Sequence, residues 1–276
     1  MMKIIISPAK KMRQDTDTME CHGLPIFLQE AEELKDYIKS LTYQEAKKLW
    51  NCNDKIAELN YQRFAQMDLR AGLTPALLAY EGIQYQYMAP AVFEDGAWEY
   101  VENHLLILSG LYGALRPFDG IVLKPMDGVT PYRLEMQAKI HLGDCKGLYR
   151  YLGKKICQEA ARGAGTILNL ASKEYSKCIS PFLPPGTRFL TCRFGELREG
   201  KVVEKGTQVK MARGEMVRFI AQNQIEGMEE IKNFHGLGYQ YEEGFSDNNT
   251  YVFLKGKKHM DTPKKKVGDT WLGPKA

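Results

Sequence analysis

Short apolar runs recur along the chain, and they predict strands. Residues 3–7 form a β-branched run that ends at Ser-Pro, where Pro8 lacks the N–H needed to continue a ladder. Residues 105–109 and 166–170 are apolar runs bounded by glycine and polar residues, which is typical of strands buried on both faces. A last strand is predicted at residues 250–254, so the pattern indicates a central, mostly buried sheet.

Longer segments alternate apolar and charged residues at helical spacing. Residues 25–40, 146–162 and 211–224 each predict an amphipathic helix. Thr42 with Glu45 three positions later predicts the start of another helix, and Asn53 can cap the next one, which runs to Phe64. Residues 187–197 and 201–209 flank Arg198-Glu199-Gly200 and predict an antiparallel hairpin.

These elements predict a mixed α and β fold in one compact domain, residues 1–254, with helices around the central sheet. Residues 255–276 carry seven lysines against two aspartates and predict a basic, disordered tail. No apolar run approaches the ~20 residues that span a bilayer, and the N-terminus lacks the features of a signal peptide. We therefore expect a cytoplasmic protein without a membrane partner.

Charge is unevenly distributed along the chain. Residues 109–220 contain nineteen basic and ten acidic residues, a surplus of nine, whereas the flanking segments 71–108 and 221–254 each have a deficit of five. Cations concentrated in the middle of a chain favour a polyanionic partner such as nucleic acid. The alternative is that these cations pair with the two acidic flanks, which the sequence cannot place in space.

The six cysteines show no CxxC pair and no zinc-ligand spacing. Free thiols are expected, and neither a metal site nor a cofactor is predicted.

Candidate site residues fall into groups near predicted strand ends. Lys10 follows the first strand, where loops often carry functional groups. Tyr132, Arg133, Glu135 and Lys139 lie within eight residues. Arg133 and Glu135 could form a salt bridge, or Arg133 could hold a phosphate bidentately while Glu135 orients its guanidinium. Both interpretations stay open.

Two further groups complete the set. At the end of the strand 166–170, backbone N–H groups favour an anion, although Ser172 is equally suited to a plain helix cap and Glu174 to the helix dipole. This group consists of Asn169, Ser172, Glu174 and Tyr175. Lys210, Arg213 and Arg218 form a cationic edge from the hairpin into the next helix.

Five motifs in this order and at these spacings resemble the YaaA family, bacterial proteins linked to peroxide stress. They are Ile6-Ser7-Pro8-Ala9-Lys10, the segment 108–117 (LSGLYGALRP), the segment 131–136 (PYRLEM), the segment 169–175 (NLASKEY) and Ala212-Arg213-Gly214. The resemblance covers residues 1–254. The chain departs from the family pattern in three places: at Met211, where a second lysine is expected, in a longer stretch at 120–130, and in the tail.

The resemblance implies a DNA-binding protein with a positively charged cleft, a helix-hairpin-helix element and a role in protection from peroxide. The two helices between Thr42 and Phe64 are the best place for that element, with Lys48, Lys55 and Arg63 as phosphate contacts. Their turn lacks the Gly-x-Gly that allows the closest backbone approach.

Two functions are therefore predicted as alternatives. The first is a DNA-binding protein that contacts phosphates in a basic cleft, with little sequence preference. The second is an enzyme whose charged pocket acts by acid–base chemistry on a phosphorylated or nucleic-acid substrate. An enclosed pocket lined by the charged residues would favour the enzyme, and a long open groove would favour the first.

Overall fold

The computed structural model describes residues 1–15, 17–122 and 134–256. The helices within these residues are α1 (Leu28–Ser40), α2 (Tyr43–Trp50), α3 (Asp54–Ala65), α4 (Ala76–Ala79), α5 (Ile83–Met88), α6 (Asp95–His104), α7 (Leu148–Ala161), α8 (Lys173–Ser176), α9 (Gly206–Gln222) and α10 (Met228–Ile231). The strands are β1 (Met2–Ile6), β2 (Lys11–Met12), β3 (Leu73–Pro75), β4 (Tyr80–Glu81), β5 (Leu105–Ser109), β6 (Gly113–Leu115), β7 (Gly120–Val122), β8 (His141–Leu142), β9 (Cys145–Lys146), β10 (Thr166–Leu170), β11 (Arg188–Arg198), β12 (Lys201–Val203), β13 (Tyr239–Tyr241) and β14 (Thr250–Lys255).

A mixed sheet forms the centre of the molecule, in the order β13-β14-β11-β10-β1-β5-β6, with β12 added to β11. The five inner strands are parallel, and β6 and β13 are antiparallel to their neighbours at the two edges. Taken in chain order, the parallel strands lie as 2-1-3-4-5, because the chain places β5 on one side of β1 and then crosses to β10 on the other.

The predicted central strands are confirmed. All five residues of β5 are buried, and Ile4, Ile5 and Ile6 of β1 are fully buried. Helix α6 packs on β1 and β5, and α7 packs on β1 and β10. A parallel sheet needs such cover, which is why its strands are continuously apolar.

The mixed α and β fold is therefore confirmed, with one connected apolar core between sheet and helices.

The helix starts at Thr42 and Asn53 are also confirmed. The Thr42 hydroxyl accepts from the Glu45 N–H while the Glu45 carboxylate accepts from the Thr42 N–H, a complete capping box. The Asn53 side chain accepts from the N–H of Ile56 and caps α3.

The helix-hairpin-helix geometry for α2 and α3 is not confirmed. In the turn between the two helices, Asn51 takes a left-handed conformation, with φ 47°. The Asp54 carboxylate lies at the start of α3 and accepts from Lys47 at 2.6 Å. An anion approaching the N-terminal amides of α3 would meet this carboxylate.

Two predicted boundaries in the hairpin region are wrong. The hairpin's second strand ends at Val203 rather than continuing to Val209, and the following helix begins at Gly206 rather than Met211. Val209 lies within α9 and is buried, so packing of this helix on the body decides the conformation of residues that look strand-like in isolation.

The last strand extends one residue beyond the predicted domain boundary. Lys255 pairs with Tyr239 across β13 and β14, and the Gly256 N–H donates to the Gly238 carbonyl. The rest of the predicted basic tail lies outside the described residues.

No helix in the described part of the chain is long and apolar enough to cross a membrane.

Candidate functional site

A pocket of about 550 Å³ lies at the carboxyl edge of the parallel sheet. The chain enters it directly from β1 at Ser7, from β5 at Ser109 and from the β10–α8 turn at Ser172. In open α/β sheets this edge binds ligands where neighbouring strands connect in opposite directions. Here that reversal lies between β1 and β10.

Hydrogen bonds hold the floor of the pocket at this reversal. The Ser172 N–H donates to the Ser7 hydroxyl at 2.8 Å, and so connects the ends of β1 and β10. The Tyr85 hydroxyl donates to the Ser7 carbonyl at 2.9 Å. The Ser109 hydroxyl accepts from the N–H groups of Leu111 and Tyr112, which turns the chain after β5.

Gly110 brings the segment containing Glu135 into the pocket. A Cβ on Gly110 would lie 2.1 Å from the Leu134 carbonyl oxygen and 3.1 Å from the Glu135 carbonyl carbon. Because backbone cannot move aside as a flexible side chain can, only glycine permits this approach. Glu135 thus reaches the pocket from a segment distant in sequence from the strand ends.

Glu135 is the best connected acidic group in the pocket. Lys10 lies 3.5 Å from one carboxylate oxygen, and the Tyr175 hydroxyl donates to the other at 3.3 Å. Burial raises the pKa of Tyr175, and the nearby Glu135 and Glu174 carboxylates add to the shift. Tyr175 is therefore a phenol donor at neutral pH.

Glu174 stands beside this pair with an unsatisfied oxygen. Its Oε1 is shielded from solvent and has no hydrogen-bond donor among the described residues. Burial raises the pKa of Glu174, and the neighbouring Glu135 carboxylate raises it further, while the backbone N–H of Gln137 and the Lys10 ammonium oppose the shift. The environment favours the neutral acid.

Cations enter the pocket from two elements. Lys10 and Lys11 come from the chain after β1, and Lys210 and Arg213 come from one face of α9. Arg213 is half-buried, and its Nε has no acceptor within the described residues. Burial lowers the pKa of Arg213, and the Glu204 carboxylate partly opposes this shift. Glu204 itself pairs with Arg193 at 2.9 Å.

The structure therefore brings together residues that the sequence placed in separate groups. Those that line the pocket are Lys10, Glu135, Ser172, Glu174, Tyr175, Lys210 and Arg213. Tyr132 and Arg133 lie outside the described residues, as does most of the longer stretch at 120–130.

The other candidates lie away from the pocket. Lys139, Lys48 and Lys55 are exposed and do not line it, and neither does Arg63. Arg218 pairs with Glu215 one turn away on α9. Asn169 is buried in the sheet, where it donates to Thr191 at 3.2 Å and accepts from the Ala171 N–H at 3.0 Å. Its contacts fix the strand end.

Several pocket residues were missed by sequence reasoning. Ser7 and Ser109 end two parallel strands, and their place at strand ends could have identified them. Tyr80, Tyr85 and Tyr112 are buried against the pocket, and burial raises the pKa of Tyr80 to about 12. Tyr112 lies in one of the family motifs, but no local pattern distinguishes Tyr80 and Tyr85 from ordinary core residues.

The ion pairs test the alternative that the central cations pair with the two acidic flanks. Among the described residues, no ion pair joins a Lys or Arg of segment 109–220 to an acid of segments 71–108 or 221–254. Lys155 pairs instead with Glu30, and Arg116 with Asp119. In these ranges the central cations therefore make no direct ion pairs with those flanks.

Within the same described ranges, no three His, Cys, Asp or Glu side chains are grouped to hold a metal ion.

Comparison with known proteins finds relatives over nearly the whole chain. The sequence profile of a family described as "Peroxide stress protein YaaA" matches residues 2–244. A UPF0246 protein of Desulfitobacterium hafniense is 54% identical over 254 residues, which cover 92% of this chain and 98% of the relative. UPF0246 proteins of Lachnoclostridium phytofermentans and Agathobacter rectalis are 50% and 53% identical, over 94% and 91% of this chain and 98% of each relative.

Proposed function

The chain belongs to the peroxide stress protein YaaA family, and from this premise we propose that it binds DNA through phosphate contacts at the carboxyl-edge pocket. The observation that carries the proposal is the pair Lys210 and Arg213. They share one face of α9, both line the pocket, and neither has an ion-pair partner among the described residues. Unpaired cations at a concave site favour a phosphate as their missing partner.

Desolvation supports this assignment. The Arg213 Nε is shielded from solvent and has no acceptor among the described residues, so it loses hydration without gaining a hydrogen bond, which is unfavourable in the free protein. A phosphate oxygen at Arg213 would restore that bond, and charge-assisted bonds of this kind are among the strongest in proteins. Lys10 and Lys11 extend the cationic lining, and phosphate contacts alone give little sequence preference.

A salt titration of DNA binding tests the proposal. If Lys210 and Arg213 each neutralise one phosphate, Lys210→Ala with Arg213→Ala should flatten the slope of log K against log salt by about 2 on duplex DNA. The loss of affinity should be similar for unrelated sequences. Duplex, bubble and single-stranded DNA are compared, with a nuclease control.

The α2–α3 helices provide a matched control. Lys48→Ala with Lys55→Ala removes the same charge from exposed positions that do not line the pocket. We expect this variant to keep the wild-type slope apart from a small long-range effect. A flattened slope in the helix-pair variant and a wild-type slope in the pocket variant would move the DNA site to the α2–α3 helices and reject the pocket.

An enzyme acting on a phosphorylated or nucleic-acid substrate is the second candidate. One observation supports this second candidate: seven of the predicted site residues surround one pocket, and the remaining described candidates do not extend that lining into a groove. A pocket that places carboxyl groups beside phosphate-binding cations can combine substrate binding with acid–base chemistry.

A further inference from the structure

The acidic side of the pocket contains a feature that phosphate binding does not require. Glu135, Glu174 and Tyr175 are placed together although the Glu135 carboxylate opposes the ionisation of Glu174. Two carboxyl groups in one anion-binding pocket would weaken phosphate affinity if both were ionised. A binding site for phosphate alone gains nothing from them.

We propose that Glu135 is a general base that catalyses hydrolysis of a phosphorylated or nucleic-acid substrate in this pocket, with Glu174 as a positioning residue beside it. The inference rests on the proposed function for one point, the phosphate held by Lys210 and Arg213. The placement of Glu135, the pocket and the unpaired cations are separate observations, and each supports a catalytic site here.

The contacts of Glu135 suit a base. The Lys10 ammonium lies 3.5 Å from its carboxylate, and the Tyr175 hydroxyl at 3.3 Å fixes its orientation. Its side chain is about one-fifth exposed, so it is accessible from the pocket while largely shielded from bulk water. The close approach at Gly110 holds the backbone that carries it.

Glu174 has a different environment and a different role. The groups that face it are Glu135, Lys10 and Tyr175, together with the N–H groups of Met136 and Gln137. The Tyr149 hydroxyl donates to its carbonyl at 2.9 Å and holds its backbone. Because Oε1 lacks a donor among the described residues, protonation of Glu174 would reduce the repulsion between the two carboxyl groups.

The reaction balances as a hydrolysis. Glu135 accepts a proton from a water molecule while the water oxygen forms a bond to the electrophilic centre of the substrate. The bond from that centre to the leaving group breaks, and the leaving group keeps the electron pair. Glu135 then returns the proton to the leaving group, so that R–X and water give R–OH and HX and the protein is unchanged.

Turnover assays with defined probes test the base. The full-length protein is incubated with duplex DNA, single-stranded DNA and the four deoxynucleoside 5′-monophosphates, and products are identified by mass spectrometry. We expect hydrolysis of at least one probe, and a rate at least 100-fold lower in Glu135→Gln with its Kd changed less than about threefold. Glu135→Asp keeps a carboxylate and should retain part of the rate.

Glu99→Gln on α6 is the matched control, because Glu99 is exposed and does not line the pocket. It should keep the wild-type rate. Thermal unfolding of each variant shows whether it is folded.

The pH profile tests the role of Glu174. When Glu174 ionises, a second negative charge beside Glu135 should raise KM for a phosphate-bearing substrate without a matching change in kcat. Glu174→Gln stays neutral and should remove this pH-dependent rise in KM. A rise in KM that persists in Glu174→Gln would reject the positioning role.

The outcomes separate this inference from the DNA-binding proposal. Wild-type protein that binds DNA with a slope dependent on Lys210 and Arg213, yet hydrolyses neither form of DNA and none of the four monophosphates, would overturn the inference and leave binding intact. Hydrolysis that depends on Glu135 but is unaffected by Lys210→Ala with Arg213→Ala would reject the phosphate site instead. A wild-type rate in folded Glu135→Gln would exclude Glu135 as the base.

Discussion

At the scale of single residues, Glu174 is an acid whose ionisation the fold opposes. Burial disfavours its charged form, and the Glu135 carboxylate acts in the same direction. Its pKa in the folded protein therefore lies above its value in the unfolded chain. Between these two values the folded protein holds a proton that the unfolded chain has released, so stability falls as pH rises through this window and is level above it.

Glu174→Gln should remove this fall, because glutamine does not titrate. Relative to wild type, the variant should gain stability at pH 7.5 over pH 4, by at most about 1.4 kcal/mol per unit of pKa difference and less because the group is partly exposed. Urea unfolding at the two pH values measures the gain. Because the Glu135 carboxylate contributes to the raised pKa of Glu174, the fall in stability with pH should also be smaller in Glu135→Gln than in wild type. Parallel loss of stability in wild type and Glu174→Gln would contradict the shift.

At the scale of elements, the packing of α5 against α9 positions the pocket's cations. Gly214 lies where the two helices meet, and a Cβ there would be 2.0 Å from the Gln84 carbonyl oxygen and 2.9 Å from the Met88 nitrogen. Both are backbone atoms of α5. Helix α9, which contains Gly214, also carries Lys210 and Arg213. This close contact therefore links helix packing to the geometry of the pocket.

Gly214→Ala should therefore destabilise the protein by about 1–3 kcal/mol, the usual cost of overpacking, and should weaken DNA binding by displacing α9. Gly206→Ala is the control within the same helix, since a Cβ there meets no atom within 4 Å. It should be neutral or stabilise by at most about 1 kcal/mol through helix propensity. Equal stability of the two variants, by denaturant unfolding, would argue against this helix contact.

At the scale of the whole molecule, β14 completes the sheet and marks where the chain can be shortened. It pairs with β11 in parallel and with β13 in antiparallel orientation, and Tyr251, Val252 and Phe253 are buried. Residues 257–276 follow it and contain six lysines and two aspartates. Their charge favours contact with a polyanion.

A chain ending at Gly256 should keep its fold, with a melting temperature within about a degree or two of wild type, which corresponds to less than about 1 kcal/mol. Its affinity for duplex DNA should fall at low salt and approach that of wild type at high salt, since screening removes the contribution of the lysines. A chain ending at Asn249 is the control and should unfold, because it lacks β14. Unchanged DNA affinity at low salt would show that these lysines do not contact DNA.

The sequence by itself determined the features that neighbouring residues encode. The continuous apolar runs at 105–109 and 166–170 require burial on both faces, so they identified β5 and β10 and, with them, the mixed fold. The capping box of Thr42 and Glu45 is a contact between residues three positions apart, and it fixed the start of α2 without help from the rest of the chain.

Only the tertiary structure decided which distant residues meet. Ser7, Glu135, Tyr175 and Lys210 come from four separate segments, and no local pattern encodes their convergence. The order of the parallel strands places the ends of β1 and β10 side by side, and the absent side chain of Gly110 admits the Glu135 segment. Asn169 was predicted as a site residue because it lies at a strand end, yet its side chain forms a hydrogen bond that joins β10 to β11. Long-range strand pairing and close packing made these choices, because their energies depend on partners far away along the chain.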